Sequence, residues 1–421
     1  MVRPATTDQL SRVLAVCHEA RVAVVPQGGR TGLAGGAVSR PGQLIVSLER
    51  MNRIEALDPV SRTAVVEAGV TLAELEAAAR PHALAVGVDL GARDAATIGG
   101  MVATNAGGLE AFRHGTMRER LLGLEAVLAD GRVLTELGRV RKDNRGYALK
   151  HLLVGSEGTL AVVSRVALAL VPAEAARAYA LAGVPSLGAA VKLLRALERA
   201  DGATLIACEL MSQRHLAITA NALGLERLAA AATSPWSLLV GLAAASSDRA
   251  GELLTERLAA ALEAGLVEDA LTPKNERELA ELWRVREDWA VDRLRPGGLW
   301  YDLSVPVGAV PEYLQRLEAR LLAHDPALAL VVIGHLADGN LHLTVNAATP
   351  ITARYTEIAA LVYADLAGCG GSYSAEHGIG LEKRATFAAR EGAVRLDLQR
   401  RIKAVFDPHA LMNPGKVLPD D

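Results

Sequence analysis

The sequence is poor in cysteine: its 421 residues include only Cys17, Cys208 and Cys369, which lie far apart. An odd number of isolated cysteines forms no disulfide framework and fits a reducing compartment. The sequence also lacks a block of basic residues, and its formal net charge of −3 argues against a nucleic-acid partner. No apolar run reaches the length of a membrane span, and the N-terminal stretch MVRPATTDQLSRVL lacks the apolar core of a secretory signal. These absences predict a cytoplasmic protein without a transmembrane segment.

The signature of a parallel dinucleotide-binding fold is missing as well. No G-x-G-x-x-G motif follows the first predicted strand, and long βαβ periodicity is absent. Hydrophobic residues make up 51% of the chain, as in a globular protein, and its length predicts two or three domains. Up to about residue 172, short strands such as TAVVEAGV alternate with a few helices, one of which begins after the N-cap Thr71. This mixture predicts an α+β domain, and longer helices and strands then predict a second domain.

The stretch GHLADGNLHL, residues 334–343, predicts a β-hairpin. Asp338-Gly339 lies between alternating apolar runs, and a type I′ turn needs positive φ at both of its central residues. With these two residues as the loop, His335 pairs with His342, their Cβ atoms about 5 Å apart, and Asn340 projects from the same face. Cross-strand histidines can also stack or bind a backbone carbonyl, so the hairpin alone leaves a metal site and a structural pair open.

A second polar cluster lies in GCGGSYSAEHGIGLEKR, residues 368–384, where Glu376 and His377 are adjacent among small residues. Two histidines and one glutamate form an open ligand set for a divalent cation. Because neighbouring side chains diverge, binding of the metal by Glu376 would leave His377 to move protons. The alternatives are a glutamate at a helix start beside a solvated histidine, and a metal hydrolase that uses the same residues.

Three glycine-rich loops occur in the predicted α+β domain: PQGGRTGLAGG (26–36), ATIGGMVATNAGG (96–108) and GSEGTL (155–160). Successive backbone N–H groups without covering side chains can bind an anion, and Arg30 adds a positive charge for a phosphate. Three such loops predict an extended ligand with phosphates and a ring, such as a dinucleotide. A metal hydrolase would not need them.

These loops, taken in order with LADGRVL, KDNRGYALKHLLVGSEGTL, GHLADGNLH, SAEHGIG and NPGK, resemble the FAD-linked oxidases of the vanillyl-alcohol-oxidase (PCMH-type) fold. Within it they are similar to the D-2-hydroxyacid dehydrogenase branch, which includes D-lactate dehydrogenase, the glycolate oxidase flavin subunit and D-2-hydroxyglutarate dehydrogenase. The resemblance spans nearly the whole chain and implies an α+β protein. It implies a two-lobed FAD-binding domain (1–172), a substrate and metal-binding domain with a mostly antiparallel sheet covered by helices (173–395), and a C-terminal segment (396–421) that returns to the flavin.

The resemblance also implies roles for single residues. The implied metal ligands are His335, His342 and Glu376, with zinc expected first and manganese second. His377 would be the catalytic base, Asn340 an active-site contact, and Arg286 the partner of the substrate carboxylate. FAD is expected to be noncovalent, because the first glycine loop has no histidine of the kind that tethers flavin in some relatives. The expected cofactor contacts are Pro26, Gln27, Gly28, Gly29, Arg30, Thr31, Gly32, Leu33, Thr97, Gly99, Gly100, Ala103, Thr104, Asn105, Gly107, Gly108, Glu157, Gly158 and Asn413.

The expected substrate is a monocarboxylic D-2-hydroxy acid, lactate-like or larger and apolar. In the hydroxyglutarate branch, a threonine and a lysine help to bind the polar substrate, and the matching residues here are Ala290 and Trp300. A distal carboxylate would lose a cationic partner and meet a bulky ring, which leaves a costly unpaired charge. Two alternatives stay open: a D-2-hydroxyglutarate or D-malate dehydrogenase in which Arg293 or Arg295 replaces the cation, and a noncatalytic flavin subunit of a glycolate oxidase-like complex.

The implied partners are the 2-hydroxy acid and an electron acceptor, which could be an electron-transfer flavoprotein, a quinone or a cytochrome. Through such an acceptor the protein could lie at the periphery of a membrane. A homodimer is an assembly that the sequence leaves open.

Overall fold

The computed structural model describes residues 1–174, 176–199 and 201–419, and the chain forms two compact units. Unit 1 comprises Met1–Ala173 and Glu376–Asp421, and unit 2 comprises Glu174–Ala375. The segment that returns to unit 1 therefore begins at residue 376, where the sequence had placed its start at 396. The reason lies in backbone hydrogen bonds within unit 1: the N–H of Leu381 donates to the carbonyl of Ala34 at 2.7 Å.

The secondary structure of both units mixes helices and strands. The helices are α1 (Thr7–Glu19), α2 (Leu72–Ala79), α3 (Ile98–Thr104), α4 (Ala111–His114), α5 (Met117–Arg120), α6 (Lys150–Leu153), α7 (Leu187–Glu198), α8 (Gln213–Ala222), α9 (Glu226–Ala230), α10 (Ser247–Glu263), α11 (Glu276–Glu287), α12 (Ala290–Leu294), α13 (Val310–His324), α14 (Tyr355–Val362), α15 (Leu366–Cys369), α16 (Arg384–Arg390) and α17 (Ala393–Phe406). The strands are β1 (Val24–Gln27), β2 (Leu44–Ser47), β3 (Ile54–Asp58), β4 (Thr63–Glu67), β5 (Leu84–Ala85), β6 (Leu121–Leu128), β7 (Val133–Glu136), β8 (Ala161–Ala169), β9 (Val171–Pro172), β10 (Arg177–Val184), β11 (Thr204–Ser212), β12 (Trp236–Ala243), β13 (Asp269–Leu271), β14 (Leu299–Ser304), β15 (Ala329–His335) and β16 (Asn340–Asn346). The expected α+β class is confirmed.

Unit 1 contains an antiparallel sheet in the order β3-β4-β8-β6-β7 and a parallel pair, β1-β2. Helix α2 begins where the sequence predicted: the Thr71 hydroxyl accepts a hydrogen bond from the N–H of Glu74, whose carboxylate accepts one from the N–H of Thr71. This capping box satisfies two N–H groups that a helix start leaves without partners. The apolar side of α2, with Leu72 and Leu75, is fully buried in the core that covers the sheet.

The returning segment is part of the core of unit 1. Ile402 and Phe406 of α17 pack against the same core as α2. Beyond α17, Met412 forms a parallel bridge with Val24 of β1, and the N–H of Asn413 donates to the carbonyl of Val24 at 2.7 Å. The stretch MNPGKVLPDD has no core pattern in the sequence, yet Met412 is buried.

Unit 2 is built on a seven-stranded antiparallel sheet in the order β13-β10-β12-β11-β15-β16-β14. Helices α8 and α11 pack on it through a cluster of apolar side chains that includes Leu216, Leu282, Val285, Met211 and Ile333. This packing places the C-terminal turn of α11, which carries Arg286, against β11 and β15. The expected antiparallel sheet covered by helices is confirmed. In the part of the chain that the structure describes, no helix is both long and apolar enough to cross a membrane.

Candidate active site

Strands β15 and β16 form the hairpin that the sequence predicted, but with a different register. His335 pairs with Asn340 and Ile333 pairs with His342, so the connection has four residues, 336–339. The predicted two-residue type I′ turn and the direct pairing of the two histidines are therefore wrong. Leu336 leaves the hairpin ladder because its N–H donates to the carbonyl of Cys208 on β11 at 2.9 Å and its side chain is buried.

The two histidines nevertheless meet, as predicted. Side chains alternate along a strand, so a shift of two residues keeps His335, Asn340 and His342 on one face of the sheet. The imidazole rings of His335 and His342 lie 5.3 Å apart between centroids, at 88° to each other. Strand register adds three residues to what we call the polar face of unit 2: Glu209, Asp302 and Trp300.

A buried ion-pair network holds His335 on the polar face. Glu209 lies opposite His335 in register, and its Oε2 is 2.8 Å from the Nδ1 of His335. The same oxygen accepts a hydrogen bond from the Nε of Arg286 at 2.9 Å and lies 2.8 Å from its Nη2. Burial alone would raise the pKa of Glu209, but the charges and hydrogen bonds of His335 and Arg286 outweigh burial and lower it.

His342 has a buried carboxylate beside it as well. The Oδ1 of Asp302 lies 3.7 Å from the Nδ1 of His342 and accepts a hydrogen bond from the side-chain amide of Asn340 at 2.9 Å. The other carboxylate oxygen accepts the N–H of Ala375 at 3.0 Å. Ala375 is the last residue of unit 2, and Glu376 follows it directly in the chain.

The polar face carries two histidines, a residue type that can bind a metal ion. Histidines that bind metals commonly direct their second ring nitrogen at a carboxylate, which fixes the ring and raises the basicity of the coordinating nitrogen. The Nδ1 of His335 lies 2.8 Å from such a carboxylate, that of Glu209, whereas the Nδ1 of His342 is 3.7 Å from Asp302, beyond hydrogen-bond distance. For His335, Nε2 is then the ring nitrogen left to bind an ion.

Unit 1 contains a cleft lined by all three glycine-rich loops. Most of the residues predicted to contact the cofactor line it, and so does His377. The predicted residues on the cleft wall are Pro26, Gln27, Gly28, Gly29, Arg30, Thr31, Gly32, Thr97, Gly99, Gly100, Ala103, Thr104, Glu157 and Gly158. A Cβ on Gly32 would meet nothing within 4 Å, so this glycine borders open space. The cleft thus offers room and exposed backbone, which suits a nucleotide-like group.

Two glycines of the first loop are required by the packing of the loops on each other. A Cβ on Gly29 would lie 1.7 Å from the carbonyl oxygen of Ala95, and one on Gly28 would lie 2.2 Å from the Thr97 hydroxyl. Neither position could therefore carry a side chain at this separation of the two loops. These glycines therefore bring the first loop against the second, which forms the cleft wall.

Five predicted cofactor residues do not line this cleft: Leu33, Asn105, Gly107, Gly108 and Asn413. The side-chain carbonyl oxygen of Asn105 accepts hydrogen bonds from the Thr116 hydroxyl and from the N–H of Arg118. These hydrogen bonds fix the residue at which α3 ends. The amide of Asn413 donates to the carbonyls of Gly36 at 3.0 Å and Glu157 at 2.7 Å. Asn413 thus links the first and the third glycine-rich loops, both of which line the cleft.

The loop after His377 is held by Glu157. The two carboxylate oxygens of Glu157 accept the N–H groups of Ile379 at 2.7 Å and Gly380 at 2.9 Å. Burial raises the pKa of Glu157, although these two hydrogen bonds act in the opposite direction. A Cβ on Gly378 would lie 2.7 Å from the carboxylate, so only glycine permits this approach. Glu157 therefore serves the His377 loop as well as the cleft wall.

Glu376 and His377 do not diverge as the sequence argument assumed. The Nε2 of His377 lies 3.6 Å from the Oε1 of Glu376. The backbone bends at residues 375–377, so the alternation of side chains in an extended strand does not apply.

The two residues predicted to shape the substrate pocket lie in unit 2. Trp300 is 38% exposed and its ring is 4.9 Å from that of Trp289. Ala290 is fully buried at the start of α12. Arg293, which could have replaced the missing cation, is paired with Asp288 at 2.6 Å.

Sequence reasoning missed Glu209 and Asp302. Each is a single acidic residue in an otherwise apolar strand, ATLIACELMS and LWYDLS, and that pattern was the available signal. Charged residues in buried strands are rarely without a partner.

Comparison with known proteins identifies the class. Residues 173–417 match the family described as FAD linked oxidases, C-terminal domain, and residues 1–136 match the FAD binding domain. The chain therefore belongs to the FAD-linked oxidase family. The resemblance inferred from the sequence is confirmed, and so is the expectation that the protein is an oxidoreductase that binds FAD.

Individual relatives agree with this assignment. The chain is 37% identical over 420 residues to the mitochondrial D-2-hydroxyglutarate dehydrogenase of Bos taurus, with 100% of this chain and 76% of that protein covered. It is 35% identical over 424 residues to the D-2-hydroxyglutarate dehydrogenase of Xanthomonas citri pv. viticola, with 98% and 88% covered. The solved structure of p-cresol methylhydroxylase has a TM-score of 0.74 at 17% identity and covers 99% of this chain and 88% of that one, which confirms the PCMH-type fold. Because the bovine relative is named as mitochondrial, a cytoplasmic location stays a prediction.

Proposed function

We propose that this protein is an FAD- and metal-dependent dehydrogenase that oxidises a D-2-hydroxy acid to the 2-oxo acid. The observation that carries the proposal is the pair of histidines on the polar face: the Nδ1 of His335 lies 2.8 Å from the buried Glu209 carboxylate, and that of His342 lies 3.7 Å from the buried Asp302 carboxylate. An FAD-linked oxidase that only transfers electrons would not need this ligand geometry. The noncatalytic flavin subunit is therefore the weaker alternative.

FAD would be held noncovalently in the cleft of unit 1, and it would accept the hydride that leaves C2 of the substrate. The residues of the cleft contribute backbone N–H groups and the positive charge of Arg30, both suited to phosphates. The electrons would then pass to an electron-transfer flavoprotein, a quinone or a cytochrome.

We propose His335, His342 and Glu376 as the ligands of a divalent ion, zinc first and manganese second. The ion would lower the pKa of the substrate hydroxyl and orient it. His377 would take the hydroxyl proton, because it lines the flavin cleft and a neutral imidazole can accept a proton. Arg286 would bind the substrate carboxylate with the donors of its guanidinium that do not face Glu209.

The proposed substrate is a monocarboxylic D-2-hydroxy acid with an uncharged side chain. Support comes from the exposed Trp300 ring on the same face as the histidines and from the pairing of Arg293 with Asp288. A second carboxylate there would have to compete with Asp288 for Arg293. The alternative is a dicarboxylate, D-2-hydroxyglutarate or D-malate, and the names of the bovine and Xanthomonas relatives favour D-2-hydroxyglutarate.

A substrate comparison tests both candidates. The purified flavoprotein is mixed anaerobically with D-lactate, D-2-hydroxybutyrate, D-2-hydroxyisocaproate, D-malate and D-2-hydroxyglutarate, and bleaching of the flavin and kcat/KM are measured. We expect the monocarboxylates to have the higher kcat/KM. Trp300→Lys should raise kcat/KM for D-2-hydroxyglutarate relative to D-lactate, whereas the control Trp300→Phe should not. A preference of the wild-type protein for either dicarboxylate would refute the assigned role of Trp300, and absence of bleaching by every acid would refute the function.

A further inference from the structure

The buried carboxylate of Glu209 connects two groups with different proposed tasks. One of its oxygens lies within 2.9 Å of three nitrogen atoms: Nδ1 of His335, and Nε and Nη2 of Arg286. The side chain of Glu209 is 1% exposed, and those of His335 and Arg286 are 8% and 7% exposed. A single buried anion thus contacts both the proposed metal ligand and the proposed carboxylate-binding arginine.

The three residues come from different elements, so their contact is a product of the tertiary fold. Glu209 is on β11, His335 is at the end of β15, and Arg286 is in the last turn of α11. Strand pairing fixes Glu209 opposite His335, and the apolar packing of α11 brings Arg286 to the same point. A small change at this carboxylate would therefore alter the contacts of both His335 and Arg286.

We propose that Glu209 is a positioning residue that holds His335 ready for the metal and Arg286 ready for the substrate carboxylate. The inference rests on the proposed function. Donation by Nδ1–H to Glu209 fixes the tautomer of His335 and leaves Nε2 as its coordinating atom. The paired donors on one edge of the guanidinium fix the plane of Arg286, so less freedom is lost when a substrate carboxylate binds.

A structural role alone would give a different result. A glutamate that only neutralises a buried arginine contributes to the free energy of unfolding, and its loss would not change the affinity of a metal site in the folded protein. A positioning role predicts a change in metal affinity and in KM. The two roles can therefore be separated by measurements on folded protein.

The test uses Glu209→Gln, which keeps the size of the side chain and removes its charge. Metal-depleted flavoprotein is titrated with Zn²⁺ by calorimetry, and we expect an affinity about 10- to 100-fold weaker than that of the wild type. With Zn²⁺ in excess, KM for the best hydroxy acid of the substrate comparison should rise about tenfold while kcat changes little, because a weakened carboxylate contact affects bound substrate and transition state alike.

The matched control is Glu67→Gln, the same exchange in another buried glutamate paired with an arginine, Arg53 at 2.8 Å. It should bind Zn²⁺ like the wild type. Glu209→Asp keeps the charge and shortens the reach, and it provides a second variant should Glu209→Gln not fold. We expect weaker Zn²⁺ binding from it as well.

Unchanged Zn²⁺ affinity and KM in a folded Glu209 variant would overturn the positioning role. Complete loss of Zn²⁺ binding in Glu209→Gln would also overturn it, because Glu209 would then be a ligand itself. A wild-type protein that binds no Zn²⁺ or Mn²⁺ would overturn the proposed metal site and this inference together, so the two failures are distinguishable.

Discussion

The attachment of the His377 loop to Glu157 leads to a quantitative prediction. In Glu157→Gln, one oxygen can still accept a backbone N–H, but the amide nitrogen would face the second N–H, donor against donor. A hydrogen bond of Ile379 or Gly380 to the carboxylate is then lost, and a partly buried N–H is left without an acceptor. We expect the free energy of unfolding to fall by about 2–4 kcal/mol.

The same variant should slow flavin reduction by the substrate. A displacement of His377 by about 1 Å can cost about 100-fold in rate, and we expect a loss of about 10- to 100-fold in stopped-flow measurements. The control is Glu76→Gln: Glu76 is also a half-buried glutamate of unit 1, and burial likewise raises its pKa, but it accepts one backbone N–H, from Val86 at 2.8 Å. A glutamine can replace it without a clash of donors. Wild-type stability and reduction rate in Glu157→Gln, or an equal loss in Glu76→Gln, would refute this reasoning.

Four further predictions follow from other parts of the molecule. His342→Ala should retain FAD and lose the metal, measured by elemental analysis; full activity of rigorously metal-free wild-type protein would contradict it. His377→Asn should block flavin reduction with the metal still bound, and reduction at the wild-type rate would show that another base acts. Gly29→Ala should lose FAD, measured by its absorbance, because the new Cβ would overlap the carbonyl of Ala95. Burial lowers the pKa of His215 to about 4. As the pH drops, this histidine is therefore protonated in the unfolded protein before it is protonated in the folded one. The free energy of unfolding should fall by about 3 kcal/mol between about pH 6.5 and pH 4. In urea unfolding at different pH values, His215→Gln should lose this contribution, and an unchanged pH dependence would refute it.

The hairpin shows what the local sequence could and could not predict. Alternating apolar residues on both sides of Asp338-Gly339 correctly placed His335, Asn340 and His342 on one face. The register was wrong because the hydrogen bond that removes Leu336 from the ladder goes to β11, more than a hundred residues away in the sequence. A shift of two residues preserves the face, which is why the shared face of the two histidines was predicted in spite of the error.

The carboxylates behind the histidines could not be identified in this way. A glutamate in ATLIACEL is visible in the sequence, but its partner among the many arginines depends on how α11 packs on the sheet. Arg286 was selected only through the resemblance to a family. Of the residues expected to contact the cofactor, most line the cleft of unit 1 and five do not, and the role of Gly28 and Gly29 in the packing between loops was not predicted.

The path of the chain has a consequence for how the protein is made. The amide of Asn413 bonds to the carbonyl of Gly36, 377 positions earlier, and unit 2 is inserted between them. A ribosome therefore completes the whole of unit 2 before it supplies the last partners of β1. Unit 2 can fold while the chain is being synthesised, whereas strand β1 of unit 1 lacks its contacts with Met412 and Asn413 until those residues have been added. Such long-range closure is slow, and the nascent chain is exposed to aggregation or to chaperones until its final residues emerge.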